Sequence, residues 1–594
     1  MTGRPRTAQE LVHWLGSGAG ARWVLRGALL FGGLGLTILV AWRQFHGAAT
    51  EATLAQADLG RQVALGRGFT TEIIYPQEVA FLSAQGVRFD PAVPYPDIYQ
   101  APLYPLLIAG GLRVLPASLR ARLFASVPAA PYGYAGDYFL LVLNLLLFAA
   151  AIGLAAGLAR RLFGAPAAWL AGLALFVSVP LWQQVVAVNG TALMMVLVLG
   201  AFLAWWRTEA AEGPVAPAGA LLALGALCGA LFLTEYSAGS LVLVAALGTA
   251  RRYPGPGRLR ALGLLLGAFA LVTAPWVARN LAVTGLPTGL AFQNIALKAG
   301  DTRAEPAVIR ATLAGALPDI ELNKLANKVL TNLQETVRTR MWAGGAMWFL
   351  ALFAASSLYV FRSGPVNRLR WLFALALLVL LAAQAAFSPG DSERPAVTWL
   401  APLVIVFGAG FFFVLLASNP LLGAWPRLCA AALLALQAAP LAHDALNPRW
   451  LHFQYPPYFP QLFQGMRRQL EASDQAGRFG LMADVPAGLA WYGQARVWAQ
   501  PATLRDFYAV QVEQPTGEML LTPRTLDRPF FSDLNAKSNN PSFLTASIPR
   551  IGEWGEVYAG LLTGTFPPEF PLSTPRKVTE DLYVLFNSSL APGR

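Results

Sequence analysis

Long stretches nearly free of charge dominate this chain and restrict what it can become. They lie at about 24–42, 138–159, 166–185, 188–206, 217–233, 236–250, 261–279, 343–361, 371–388, 396–417 and 428–443. A helix rises 1.5 Å per residue, so roughly 20 apolar residues cross the hydrocarbon core, and the runs predict a polytopic α-helical membrane protein with about 11 transmembrane helices. The run at 236–250 is short. Of the 594 residues, 56% are hydrophobic and 13% charged, whereas soluble domains carry about 25% charged residues. A soluble core cannot absorb so much apolar surface, and lipid must be the solvent for much of it.

The formal net charge is +12. The basic residues sit in short loops between apolar runs and not on one face, so the charge does not predict nucleic-acid binding. Arginines instead report orientation, since they mark cytoplasmic loops. Arg4, Arg6 and Arg22 precede the first run, Arg160 and Arg161 follow the second, and Arg207 the fourth. Arg251, Arg252, Arg258 and Arg260 follow the sixth, Arg362, Arg368 and Arg370 the eighth, and Arg427 precedes the last. All these loops share one side if the amino terminus is cytoplasmic. The first run is longer than a signal-peptide core and lacks a clear A-x-A site, so it is expected to be a retained anchor.

This orientation places the connections 43–137 and 280–342 and the tail outside. It divides the chain into a membrane domain, 1–444, and an extracytoplasmic domain, 445–594. Residues 51–66 read as a helix, and PLYPLLIAGGLRVLP (102–116) is too short and broken to span, so an interfacial helix is expected. Leu322, Leu325, Val329, Leu333 and Val337 recur at helical spacing with Lys324, Lys328, Arg338 and Arg340 beside them, the pattern of an amphipathic helix near headgroups. In the tail, 478–485, 518–523 and 581–586 read as strands and 459–476 as a helix, which predicts a small α/β or α+β domain.

Cys228 and Cys429 lie inside apolar runs and read as packing residues, and His13, His46, His443 and His452 are scattered. No metal site and no certain cofactor follow from them. Ionisable groups at the outer ends of spans are the informative ones, because desolvating charge is costly unless compensated. Glu51, Asp58, Glu72, Glu78, Asp90 and Asp97 lie in the first loop, Glu235 at a junction of spans, Arg279 at a span end, and Asp391, Glu393 and Arg394 at another mouth. Each alone also fits a solvated loop charge. Together they can combine a carboxylate base with arginine clamps on phosphate. Trp491, Tyr492 and Trp498 can either stack on a sugar or pack inside the tail.

The strings ADLGRQVALGRGFTT and YPDIYQAPLYPLL, then NGT (189–191), LFLTEYSAG (231–239), APWVARNLAVTGLPTG (274–289) and ERPAVTWLAPLV (393–404) occur in order. With them the chain resembles bacterial GT-C-type glycosyltransferases, multi-span enzymes related to protein O-mannosyltransferases and the lipid A aminoarabinose transferase. The tail strings YPPYFP (455–460) and LMADVPAGLAWYGQARVWAQP (481–501) resemble the external domain of an uncharacterised subset. The resemblance implies inverting transfer of a sugar from a polyprenyl-phosphate carrier to a lipid, glycan or protein at the outer face of the inner membrane. It implies a first-loop acid as base, here Asp58, with Glu51 and Asp97 as alternatives. It also implies binding roles for Arg279, Asn280, Glu235, Arg394, Tyr99 and Tyr104. Two positions depart from the family: ATLAQA follows Glu51 where relatives often carry an acidic residue or pair, and residue 235 is Glu where they often carry Arg or Lys. A non-catalytic membrane partner on the same scaffold, serving surface-polysaccharide export, is the other reading. The residues name neither sugar, acceptor nor oligomeric state. The orientation is tested by reporter fusions after Gly255 and after Trp450, which should report opposite sides of the membrane. Finding both on one side would overturn the span count.

Overall fold

The computed structural model describes residues 19–45, 47–48, 50–125, 134–213, 217–298, 306–388, 392–446, 460–472, 478–526 and 554–590. Arg4, Arg6, His13, His46, Asp391, His452 and residues 455–459 lie outside this set. Every apolar run contains helix, because in lipid each backbone N–H and C=O must be satisfied within the segment. Among the described residues six helices are long and apolar enough to cross a membrane: Ala135–Phe163, Thr191–Ala210, Pro256–Thr284, Gly364–Phe387, Ala401–Ser418 and Pro426–Leu446. Ala165–Phe176 and Val179–Val186 make a seventh if taken together, bent by 55°. The bend falls just before Pro180, whose missing N–H and ring disfavour a continuous helix. The chain is a multi-pass helical membrane protein.

Three runs give helices of fewer than 18 residues, one of them as long as its run and two shorter. Ala218–Thr234 has 17 residues. At 236–250 a 3-10 turn, Tyr236–Ser240, precedes Leu241–Arg252. At 343–361 only Trp348–Ser356 is α-helical apart from a short turn ending at Ala343, because Gly345 and Met347 adopt positive φ and interrupt the backbone ladder. Close packing holds the bundle where polar contacts are scarce. A Cβ on Gly225 would lie 2.1 Å from the Leu265 carbonyl oxygen, and one on Gly229 3.0 Å from Val272. This small-x-x-x-small spacing lets Ala218–Thr234 lie directly against Pro256–Thr284. The latter helix ends at Gly285, whose φ of +70° forms a left-handed cap.

Outside the bundle, the helix Glu51–Ala64 is capped by Thr50, whose hydroxyl accepts from the Thr53 N–H. It crosses Leu103–Val114 at Gly60, where a Cβ would meet Ile108 at 2.7 Å. The C-terminal region forms a six-stranded sheet in the order Ile73–Ile74, Val497–Ala499, Gly480–Ala483, Thr516–Leu521, Leu582–Phe586, Thr574–Thr579. The first four run parallel and the last two pair antiparallel. The three expected strands are present, and so is the expected helix, as Pro460–Ala472. The edge strand Ile73–Ile74 comes from the first loop, so two distant parts of the chain share one sheet.

Trp491 and Tyr492 are buried at the join between sheet and membrane bundle. The Asp137 carboxylate accepts the Trp491 indole N–H at 2.8 Å and the Tyr492 hydroxyl at 2.8 Å. Trp498 is buried too, and its indole donates to Gln514. All three aromatics therefore pack inside the protein.

Glu518 lies buried within the sheet, and among the described residues its Oε2 finds no hydrogen-bond partner. Burial pushes its carboxyl up to about 8. An unfolded glutamate ionises near pH 4.3, roughly, so the folded state holds an extra proton between that pH and its own titration. This contribution to stability is fully present below the unfolded value and is lost as pH rises through about 8. The thermal midpoint should fall between about pH 6 and about pH 9, and Glu518→Gln should flatten that fall.

Candidate functional site

The first loop brings Asp58 to a place the sequence reading did not expect. Its side chain is fully buried: Oδ1 accepts from Arg61 Nη2 at 2.6 Å, and Oδ2 accepts from Thr71 Oγ1 at 3.2 Å and the Glu72 N–H at 2.9 Å. Arg61 also donates to the Ala490 and Trp491 carbonyls, each at 2.8 Å. Asp58 thus ties the loop to the sheet, and no hydrogen bond or ion pair among the described residues links it to Arg279. Both oxygens of this carboxylate are engaged and it has no solvent access, so in this arrangement it serves the loop–sheet join. Tyr104 is enclosed likewise. It is buried, donating to the Val188 carbonyl at 2.5 Å and accepting from Asn144 at 2.8 Å.

Several of the remaining charged residues lie near one another where first loop, span ends and C-terminal sheet meet. Glu51 heads its helix and keeps partial solvent access, with 15% of its side chain exposed. Its carboxylate accepts the N–H of Ala487 at 2.9 Å and of Gly488 at 3.3 Å. The preceding Thr50 hydroxyl approaches Glu393 Oε2 at 3.1 Å. Glu393 is exposed, and desolvation by the surrounding protein raises its carboxyl above the usual range against the pull of Arg394 and the Thr50 hydroxyl. Its backbone carbonyl accepts from Asn189 of the NGT string at 2.8 Å. Next to it, Arg394 pairs with Glu235 at 3.1 Å and donates to the Thr234 carbonyl at 3.2 Å.

Arg279 approaches from the end of its span. Its Nη2 donates to the Asp97 carbonyl at 2.7 Å and its Nη1 to Asn280 Oδ1 at 3.0 Å, over the rings of Trp276 and Phe69. Asn280 is buried and also donates to the Pro287 carbonyl, so it helps to aim Arg279. The carboxylate beside Arg279 is that of Asp97, not Asp58. Asp97 is buried, with Oδ1 accepting the N–H groups of Tyr99 and Gln100 at 3.0 and 2.7 Å. Burial raises its carboxyl, while those bonds and the charges of Arg310 and Arg279 pull it back.

Arg310, which nothing in the sequence marked, lies between two rings, 3.5 Å from the Tyr75 centroid and 4.1 Å from that of Tyr99. It pairs with buried Glu78 at 2.6 Å. Removing one partner of such a buried pair costs about 3–5 kcal/mol, because the other charge is left buried and unpaired. Tyr99 holds Asn294 through its hydroxyl at 3.0 Å. Arg524, from the C-terminal region, stands 3.9 Å from Glu51 and was also missed. Among the described residues no three His, Cys, Asp or Glu side chains are grouped as metal ligands would be. A cavity of about 260 Å³ lies apart from these residues, between Glu72, Arg467, Phe479 and Arg496.

No family model matches the chain, and no curated protein matches it. Solved structures do. The crystal structure of ArnT from Cupriavidus metallidurans bound to undecaprenyl phosphate is similar over 96% of this chain and 99% of that one, at 14% identity and a TM-score of 0.50. The Archaeoglobus fulgidus oligosaccharyltransferase tethered with an acceptor peptide is similar over 85% of this chain and 69% of that one, at 14% identity and a TM-score of 0.48. The likeness to ArnT spans nearly the whole of both chains, and the chain has the GT-C membrane fold.

Proposed function

We propose that the protein transfers a sugar from a polyprenyl-phosphate carrier to a hydroxyl acceptor at the outer face of the bacterial inner membrane. In this reading the amino terminus is cytoplasmic and the charged cluster and C-terminal domain are extracytoplasmic. The observation that carries the reading is the partly exposed cluster of Glu51, Glu393, Glu235, Arg394 and Arg524. Its support is the fold shared with a protein solved with a lipid phosphate bound.

Of the three acids expected as base, Glu51 alone combines partial access with a place in that cluster. It takes the proton of the acceptor hydroxyl as that oxygen attacks the anomeric carbon. The bond from that carbon to the phosphate oxygen breaks, and the carrier leaves as polyprenyl phosphate with inverted stereochemistry at the sugar. Arg279 and Arg394 receive the negative charge that grows on the departing phosphate. A guanidinium suits this role because its planar fork matches phosphate oxygens in pairs. One observation favours the non-catalytic reading: two backbone N–H groups already hold the Glu51 carboxylate and weaken it as a base.

Mass spectrometry of lipids co-purified in detergent should find a polyprenyl phosphate or its sugar adduct. Glu51→Gln should then lower turnover at least about a hundredfold, the usual scale of general-base catalysis, with lipid binding retained. Arg279→Lys should mainly weaken lipid binding. A fully active Glu51→Gln protein would move the base to Asp97, and a protein without bound lipid or turnover would favour the non-catalytic partner.

A further inference from the structure

The parallel strands of the C-terminal sheet have two ends, and only one faces the charged cluster. Gly480–Ala483 leads through Asp484 to Ala487 and Gly488, whose N–H groups hold Glu51. The opposite ends begin with Glu72 before Ile73–Ile74, Phe479 before Gly480–Ala483 and Arg496 before Val497–Ala499. These residues line the cavity of about 260 Å³, together with Arg467 and Leu470 of the helix Pro460–Ala472. Strand advances about 3.3 Å per residue, so the sheet separates this cavity from the edge carrying Asp484 by roughly 10 Å or more.

The polar lining of the cavity is fixed from behind. Gln514 is buried, and its Oε1 accepts the Trp498 indole N–H at 2.9 Å. That bond sets the amide plane, and Nε2, which donates to none of the described residues, is left for the cavity that Gln514 lines. Gly480 leaves the room: a Cβ there would lie 3.0 Å from the Gln514 amide. Arg467 donates through Nε to Glu471 at 2.7 Å and through Nη1 to the Gly493 carbonyl at 3.5 Å. Arg496 stands 3.4 Å from Glu72 and donates through Nη1 to the Pro91 carbonyl. Each guanidinium keeps an Nη2 that donates to none of the described residues. Glu72 is held further by Gln62 and Arg67, each at 3.0 Å.

The two guanidinium and two carboxylate groups of the lining cancel, so an ion entering would lose hydration without a net attraction in return. A neutral ligand that both accepts and donates hydrogen bonds suits the cavity better. It meets the unused nitrogen donors of Gln514, Arg467 and Arg496, and the half-exposed Glu471 carboxylate as acceptor. Leu470, Phe479 and Leu481 add an apolar side. The volume is below the roughly 300–1,000 Å³ of sites for drug-sized ligands, which limits the occupant to about one ring. A pyranose meets every condition, with hydroxyls around its rim and C–H groups on its faces.

We infer that this cavity binds one neutral sugar residue of a glycan, at a carbohydrate site separate from the charged cluster. The inference does not need transfer: a glycan held here serves a transferase as acceptor and a non-catalytic partner as cargo. Saturation-transfer NMR on the full-length protein in detergent tests it. The probes are the methyl α-D-pyranosides of glucose, galactose and mannose, with alanine as a zwitterion and acetate as an anion. Wild type should bind at least one glycoside saturably, in preference to alanine and acetate, and undecaprenyl phosphate should not displace it. Arg467→Met keeps the apolar stem and removes the donors, and it should weaken binding about tenfold, the scale of one lost hydrogen bond to a charged group. Ala495→Phe, which fills the cavity from its lining, should abolish binding. Both variants should keep the wild-type thermal midpoint. Absence of glycoside binding, preference for alanine or acetate, or displacement by undecaprenyl phosphate overturns the inference and leaves the transferase reading standing. Variants that bind as wild type does overturn it too, since the sugar then sits elsewhere. So does a loss of binding confined to variants with a lowered midpoint, which reports damage to the fold. A wild type that binds the glycoside but no lipid phosphate removes the transferase reading and leaves this site in place.

Discussion

The buried Arg61 guanidinium joins parts of the chain separated by more than four hundred residues. On one side it meets Asp58 within its own helix, and on the other it meets the carbonyls of Ala490 and Trp491. Asp58 in turn holds the Glu72 N–H, just before the strand Ile73–Ile74 enters the C-terminal sheet. A charge taken this far from water is tolerable only when it is paired and hydrogen-bonded on all sides. The arrangement is therefore specific, since a shift of the sheet against the bundle would strand a cation. Asp137, with its two aromatic donors, applies the same logic at the next join.

The charged cluster depends on that attachment. Glu51 and Thr50 belong to the first loop, Glu393 and Arg394 to the loop before Ala401–Ser418, and Arg524 to the C-terminal sheet. Because Ile73–Ile74 and Val497–Ala499 are hydrogen-bonded neighbours, the sheet does not drift relative to the loop. The second long connection adds a further tie, through Arg310 against Glu78 and the Ala502 N–H bonded to the Ala311 carbonyl. These paired charges are held by separate parts of the fold, which suits electrostatic stabilisation because preorganised groups need little reorganisation as charge develops.

The membrane architecture was legible because lipid imposes one rule on every residue of a span: no backbone polar group without a partner and few charges. Apolar length alone then marks the helices, and Arg279, Glu235 and Arg394 could be placed at span ends. Where backbone geometry intervenes, length misleads, as at 343–361, where positive φ at Gly345 and Met347 leaves a nine-residue helix. Tail strands such as Gly480–Ala483 were readable from their apolar character. Ile73–Ile74 was not, because two residues carry no periodicity and its pairing lies with Val497–Ala499.

By itself, then, the sequence determined a multi-span helical protein with charged loops and a mixed tail domain, since those follow from local hydrophobicity. Only the tertiary structure decided which charges act together. Asp58 and Glu51 differ little as sequence, both acids in one helix. Yet one is sealed by Arg61 and the other stays partly exposed beside Arg524. That difference comes from which distant residues lie within a few ångströms. Coulomb energy and desolvation depend on those separations in space, and not on position along the chain.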